Sequence, residues 1–426
     1  MRRAERCRHR FDGGLGTHTD DPIPRPLGRA RWRGLAPRAR EVPVLTTTRD
    51  LRGAPVYLRA VETTVPHTVI DQPAFRDLLL AQPDLGRLGA RRLRAAFDGS
   101  GIDTRHTVVA ELDEAPGCPP EPQFYDVASR RVLTPTTGTR NAAYAREAPA
   151  LFLDAAKQAL GAAPGLAPDD VTHVVTVSCT GFFAPGPDYL LVRQLGLRPS
   201  TQRFHLGFMG CYGAFPALRL ASSVCRADPD AVVLVVCAEL CSLHLHTGDD
   251  LDMILASSLF ADGAGAALVS GRRPPPGAEV VEITALETTL TTDGEAAMAW
   301  TIGDQGFDMV LSSYVPRIIG AELPVALAPL LGGLDPAADI QRWAVHPGGR
   351  AVLDQVQSTL GLTDTQLAPS REVLRRYGNM SSATVLFVLQ ALLESPAPVA
   401  PERVCAMAFG PGLTVEAGLF TREPAA

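Results

Sequence analysis

No run of apolar residues in this 426-residue chain is long enough to cross a membrane. The best, at 231–236, reaches Leu243 only across Glu239, well short of the roughly 20 residues a spanning helix needs. The basic opening stretch is not followed by the apolar segment that a secretory signal requires. Excess positive charge is missing too. The net charge is −6, which gives no reason to expect a nucleic acid or an anionic membrane surface as a partner. Eight cysteines show no paired framework in a chain of this length, so a disulfide scaffold is excluded and a reducing cytoplasm is expected. Lys157 is the one lysine among 40 basic residues, a bias of coding rather than of mechanism. No P-loop and no Gly-x-Ser-x-Gly elbow is present, and Gly263-Ala264-Gly265 lacks the third glycine of a dinucleotide loop.

What is present reads as a globular protein: 46% of residues are apolar and 20% charged. The charge is uneven. Residues 1–40 hold eleven arginines against Glu5, Asp12, Asp20 and Asp21, a net +7 that leaves −13 for the remainder. Without apolar periodicity, residues 1–50 are expected to be a disordered and dispensable basic tail. Order is expected from about Ala54, with a first strand at 56–61, a helical pattern over 72–98 and a loop broken by prolines at 111–122. Further helix is expected at 141–161, and strands at 171–178, 231–237 and 261–270. The linker Arg-Arg-Pro-Pro-Pro-Gly at 272–277 divides the chain into halves at 54–272 and 278–421. The halves share a pattern. Asp170 and Asp339 each open a β-branched, then apolar, strand; 41 residues separate Asp170 from Cys211, and 40 separate Asp339 from Asn379. A duplicated α/β unit would set two helix starts face to face across one site. Two unrelated strand–helix units are the competing account.

Three residues at element ends carry the chemistry. Cys211 follows Gly210 and opens an apolar helical pattern over 212–224, in which Pro216 is tolerated only in the first turn. Unpaired N–H groups and the positive end of the helix dipole stabilise a thiolate there. His346 ends an apolar strand before Pro347-Gly348-Gly349, where an imidazole can pair with a thiolate and then donate to an oxyanion. Asn379 follows Gly378 and precedes a helical pattern at 381–393; its amide can polarise a thioester carbonyl. Singly, each is commonly a buried cysteine, a turn histidine or a cap. Together they point to acyl transfer. A zinc site from Cys237, Cys241, His244 and His246 has suitable atoms, but strand alternation sends them to different faces, and no metal is expected.

These motifs resemble the type III polyketide synthases, the chalcone-synthase-like branch of the thiolase-fold condensing enzymes. The likeness runs from about Val56 to Phe420. It rests on GFMGCYGAFPALRLA around Cys211, SLFADGAGAAL around Phe260, GFDMVLSSYVPRI, VHPGG at His346, YGNMSSATVLF at Asn379 and the terminal Phe409-Gly-Pro-Gly412. It implies an α/β, five-layered αβαβα thiolase-like homodimer with duplicated halves. Cys211 would carry the starter and the growing chain, while His346 and Asn379 stabilise the enolate from malonyl-CoA. Acyl-CoA and malonyl-CoA would be substrates, with no cofactor. Phe260 would be a gatekeeper, and the second gatekeeper position falls on Met309, a departure from phenylalanine. Cavity positions fall on Cys179, Thr180, Cys241, Leu243, His244, Trp300 and Ser381, and the loop crossing to the dimer partner on Ala184. Cys241, Leu243 and Ala184 make the expected pocket apolar, and CTGFFAPG and GFMGCY resemble bacterial members that convert fatty acyl starters to alkylpyrones or alkylresorcinols. Each buried CH2 contributes about 0.8 kcal/mol, so such a tunnel selects a long tail by burial, with Trp300 expected to limit its length. The rival readings are a single condensation of the ketoacyl-ACP synthase III type and a catalytically silent partner subunit.

Overall fold

Every residue of the strands Val232–Leu240 and Asp262–Ser270 is buried. Continuous apolar runs of this kind belong in a sheet covered on both faces. The computed structural model describes residues 53–113, 121–292 and 294–424; the basic tail at 1–50, Cys7 and Cys118 lie outside them. One hydrogen-bonded sheet of nine strands runs in the order Arg342–Val345, Glu402–Gly410, Thr414–Glu423, Val280–Leu290, Tyr57–Thr64, Asp262–Ser270, Val232–Leu240, His173–Ser178 and Gln202–Gly207. Only the rung Tyr57 to Glu282 joins its two parts.

Helices divide these parts into layers. The helix Thr137–Gly161 covers the outer face of the strands from the first half, and Val315–Leu331 with Arg350–Leu360 forms the outer layer of the second. Between them lie Ala214–Ala227 and Thr384–Leu393, which share one core with strands of both parts: Val175 and Val235 on one side, Ala406 and Phe420 on the other. That is an αβαβα arrangement.

The elements follow the sequence with local corrections. The helical pattern at 72–98 is two helices, Gln72–Leu80 and Arg87–Asp98, since Pro83 has no N–H to continue the first. The helix after Cys211 begins at Ala214, beyond a turn, and the one after Asn379 at Thr384, beyond a short 3-10 turn at Ser381–Ala383. Gly263 and Gly265, not part of a nucleotide loop, let their strand lie directly on the second central helix. A Cβ at Gly265 would stand 2.9 Å from Leu386 Cβ, and one at Gly263 2.5 Å from Met380 Sδ. Gly265→Val should therefore cost about 1–3 kcal/mol, read as a lower denaturation midpoint in urea. An unchanged midpoint would show that the helix can step back without loss.

Candidate active site

The fold brings Cys211, His346 and Asn379 to the walls of one cavity. Cys211 sits in the turn between the strand Gln202–Gly207 and the first central helix. Three contacts fix that turn. Gly210 N–H donates to Cys179 Sγ at 3.0 Å. Gly210, at φ 83°, packs where a Cβ would meet Pro411 at 2.6 Å, and Gly410 packs where a Cβ would meet Tyr212 at 2.4 Å. The terminal Gly410-Pro411-Gly412 motif is thus a buttress for the cysteine turn. Phe208, Ser381 and Leu413 hold left-handed backbone without being glycine, at φ 61°, 47° and 48°. Such residues cost of order 1–3 kcal/mol each and persist where surrounding packing over-determines them.

Asn379 pairs through its backbone with the neighbours of Phe260: its N–H donates to Leu259 O, and its carbonyl accepts from Ala261 N, both at 2.9 Å. Its Oδ1 accepts from Ser381 N at 2.8 Å, which orients the amide and leaves Nδ2 to face Cys211 Sγ, 4.0 Å away. His346 is held by its backbone, with N–H to Met407 O at 2.8 Å, and is 1% exposed. Neither ring nitrogen has a partner among the described residues. A buried donor left unpaired costs about 1–3 kcal/mol, so the ring is poised to bond whatever enters.

Burial governs the charges. It pushes the Cys211 thiol up to about 11, against hydrogen bonds from Ser381 and Asn379 that favour the thiolate, and pushes His346 down to about 3. The helix start alone does not hold a thiolate, as the sequence pattern suggested it would. Were a proton to pass from Sγ to the imidazole, both charges would arise together, and each would offset the desolvation of the other. Behind Cys211 lies Glu239, completely buried. It accepts from Cys179 N and Thr180 Oγ1 at 2.9 Å and from the Ser382 hydroxyl, tying the 178–180 turn to the second half. Burial pushes its carboxyl up to about 7, and its charge raises Cys211 further. Sequence reasoning noted Glu239 only as a break in an apolar run; a lone carboxylate in a nine-residue strand of apolar neighbours was the available signal.

A second cavity, the larger by its wall of 26 residues, adjoins the first, which is walled by 20. Cys211, Phe260, Trp300 and Met309 line both, so the two expected gate positions stand at the junction. Trp300 and Met309 are cross-strand partners in a hairpin. Cys179, Thr180, Cys241, His244 and Ser381 line the larger cavity as expected. Leu243 does not: it is buried in the core beside the helix Thr137–Gly161. Ala184 is exposed on the surface, off both cavities. The apolar wall comes instead from 68–133 and the helix Leu251–Leu259: Ile70, Phe75, Leu112, Phe124, Val132 and Met253. Sequence reasoning missed these residues because they are ordinary core types in separate short elements.

Similarity to known proteins covers nearly the whole chain. The family models for the N-terminal and C-terminal domains of chalcone and stilbene synthases match residues 46–274 and 282–423. The chain is 32% identical over 413 residues to the alpha-pyrone synthesis polyketide synthase-like Pks18 of Mycobacterium tuberculosis, covering 95% of this chain and 99% of that protein. It is 39% identical over 285 residues to bisdemethoxycurcumin synthase of Oryza sativa, covering 64% of this chain and 70% of that one. The crystal structure of PKS-I from the brown alga Ectocarpus siliculosus superposes with a TM-score of 0.78 at 29% identity, over 87% of this chain and 99% of that one.

Two alkylation profiles test the charge balance. With iodoacetamide, His346→Gln should move the pH at which Cys211 reacts upward from about 11, because the thiolate loses its proton acceptor. Glu239→Gln should move it downward, since it removes a negative charge present only above about pH 7. Peptide mapping assigns the adduct; profiles that coincide with wild type would rule out both couplings.

Proposed function

We propose the starter, the site roles and the assembly from one premise: the chain belongs to the chalcone and stilbene synthase family and is a type III polyketide synthase, an acyltransferase. The starter is a fatty acyl-CoA, and the product an alkylpyrone or alkylresorcinol. The observation that carries this reading is the apolar wall of the larger cavity, which begins at Cys211 and is built from Ile70, Phe75, Leu112, Phe124, Val132 and Met253. The pyrone named for the mycobacterial relative supports it.

In this reading Cys211 Sγ attacks the starter thioester after passing its proton to His346, and CoA leaves. The acyl tail lies along the apolar wall. Malonyl-CoA occupies the smaller cavity, where His346 and the Asn379 amide donate to the thioester oxygen as CO2 departs. The resulting enolate carbon attacks the acyl-Cys211 carbonyl, the thiolate leaves, and the extended chain returns to Sγ for a further round. No redox or metal cofactor enters this scheme. Among the described residues, no helix is long and apolar enough to cross a membrane, and the six described cysteines are all unpaired, which supports a cytoplasmic enzyme.

A homodimer is part of the proposal. Gln202–Gly207 is the last strand of the sheet and is exposed along most of its length. Phe182, Tyr189 and Phe204 are exposed large apolar residues beside it or on it. A second copy of the chain pairing along this edge would cover them and protect the open strand. Ala184, exposed in the same turn, would then reach toward the partner.

The experiment is product analysis by mass spectrometry with malonyl-CoA and a series of acyl-CoAs. Turnover should rise with starter length, each two-carbon step adding up to about 1.6 kcal/mol of burial before ordering costs reduce it. Val132→Trp should shift the preference to shorter starters. Acetyl- or aromatic-CoA outperforming octanoyl-CoA would overturn the fatty-acyl reading. For the enolate step, His346→Gln and Asn379→Ala should each slow malonyl-CoA decarboxylation about 10²–10³-fold. Asn379→Asp should be slower still, because a carboxylate repels the developing charge. Decarboxylation at the wild-type rate in these variants would remove the assigned roles.

A further inference from the structure

Arg140 is among the largest fully buried side chains of the molecule, at 1% exposure. Arg422, equally buried, is paired with Glu279. Arg140 has no acid partner among the described residues. Its Nε donates to Pro135 O at 3.0 Å, and its Nη1 to the carbonyls of Leu243 and Leu245. Among the described residues Nη2 has no acceptor. A buried cation without a counter-charge is costly unless something it serves repays the cost. Arg140 lines the larger cavity.

Its neighbour is His244, on the same cavity. The His244 ring stacks on Phe307, with centroids 3.8 Å apart. Its Nε2 lies 2.8 Å from the Thr180 carbonyl. A carbonyl can only accept, so Nε2 carries the hydrogen and Nδ1 keeps its lone pair. Burial and the nearby Arg140 push this imidazole down to about 4, so it is neutral at ordinary pH. Nδ1 has no partner. The two groups share one small space: a Cβ placed on Gly306 would stand 3.0 Å from Arg140 Nε and 3.3 Å from His244 Nδ1. The cavity therefore has, apart from its apolar wall, a polar corner offering one N–H donor with positive charge and one bare acceptor.

A 1,3-dicarbonyl in its keto–enol form presents the complement: one carbonyl acceptor and one O–H donor. A plain acyl tail presents neither. We infer that Arg140 and His244 form a keto–enol subsite, in which Arg140 Nη2 donates to a keto oxygen of the extended chain and His244 Nδ1 accepts from the adjacent enol. The inference rests on the polyketide reading, which supplies the 1,3-dicarbonyl. The subsite positions the chain: it gives the oxygen-bearing end a place away from the apolar wall, so that the chain bends back toward its own thioester on Cys211 for ring closure. Arg140 and His244 are positioning residues that set the fold of the chain, distinct from the three residues assigned to bond making.

The test is binding of two ligands of equal length, decane-2,4-dione and decan-1-ol, followed by tryptophan fluorescence and calorimetry on the full chain. His244→Phe keeps the stacking on Phe307 and removes the acceptor; Arg140→Lys keeps the charge and shortens the reach. Each should weaken the dione about tenfold or more while decan-1-ol stays within about twofold of wild type. Equal weakening of both ligands, or of neither, in His244→Phe overturns the subsite. That variant decides the matter if Arg140→Lys fails to fold. Malonyl-CoA turnover by the wild-type protein is measured separately. Its absence would remove the polyketide reading while leaving the dione result standing.

Discussion

The two central helices share a single core, and this contact is what makes one site out of two halves. Ala214–Ala227 and Thr384–Leu393 each pack between strands of both parts of the sheet. Cys211 precedes the first and Asn379 the second. Neither helix can shift without moving its catalytic candidate, because glycines at 263 and 265 place the strand backbone directly against the second helix. Glu239 adds a polar tie at the same level, from a strand of the first half to Ser382 at the start of that helix. Packing density thus becomes positional accuracy at the cysteine. The left-handed backbone at Phe208, Ser381 and Leu413 is tolerated on the same account: the packed core over-determines it.

Dryness is the second consequence. Cys211, His346 and Glu239 are buried, and there a charge without a partner is costly. Cys211 and His346 are each held away from their charged forms by burial. The site therefore favours chemistry in which a proton moves between neighbours, or charge develops on a bound oxygen facing ready donors. It disfavours a standing thiolate exposed to oxidants and alkylating agents. The other cavity cysteines, Cys179 and Cys241, are pushed up by burial and by Glu239 in the same way, which leaves Cys211, with Asn379 and Ser381 beside it, as the thiol best placed to react.

How much of this was legible beforehand depends on the scale of the signal. The proposed catalytic set, the two proposed gate positions and the layered α/β fold are carried by local motifs, where glycine, proline and a reactive residue stand at fixed spacing. The structure gathers Cys211, His346, Asn379, Phe260 and Met309 as those motifs implied. The polar positions of the cavity wall were legible in part; its apolar side was not. Leu243 turns into the outer core because its neighbours in the 3-10 turn, not Leu243 itself, face the lumen. Trp300, expected to limit the tail, borders the junction of the two cavities, because its hairpin runs beside Gly210. The residues that do form the apolar wall are scattered over two helices, two two-stranded ribbons and a 3-10 turn. Only tertiary folding brings them together. Arg140 escaped notice for a related reason: a single arginine in an arginine-rich chain carries no sequence signal until its burial without an acid partner is seen.

The two cavities divide the work by polarity as well as by position. The smaller is lined by His346 and Asn379, whose N–H groups are proposed to serve a developing oxyanion. The larger joins an apolar wall to one polar corner. A ligand with a long hydrocarbon tail and oxygens near its reactive end satisfies both regions only in one orientation, tail along the wall and oxygens toward Arg140 and His244. Burial of the tail supplies affinity roughly in proportion to its length, whereas the polar corner discriminates by a buried hydrogen-bond pair that a simple acyl chain cannot complete. Affinity and chain folding are thereby assigned to different residues. Substitutions along 68–133 can retune starter length without touching the corner, and substitutions at Arg140 or His244 can alter how the chain bends without changing which tail is accepted. The shared border at Cys211, Phe260, Trp300 and Met309 is where the two properties would meet, since in the proposed scheme a side chain there shapes both the passage for the extender and the room for the growing chain.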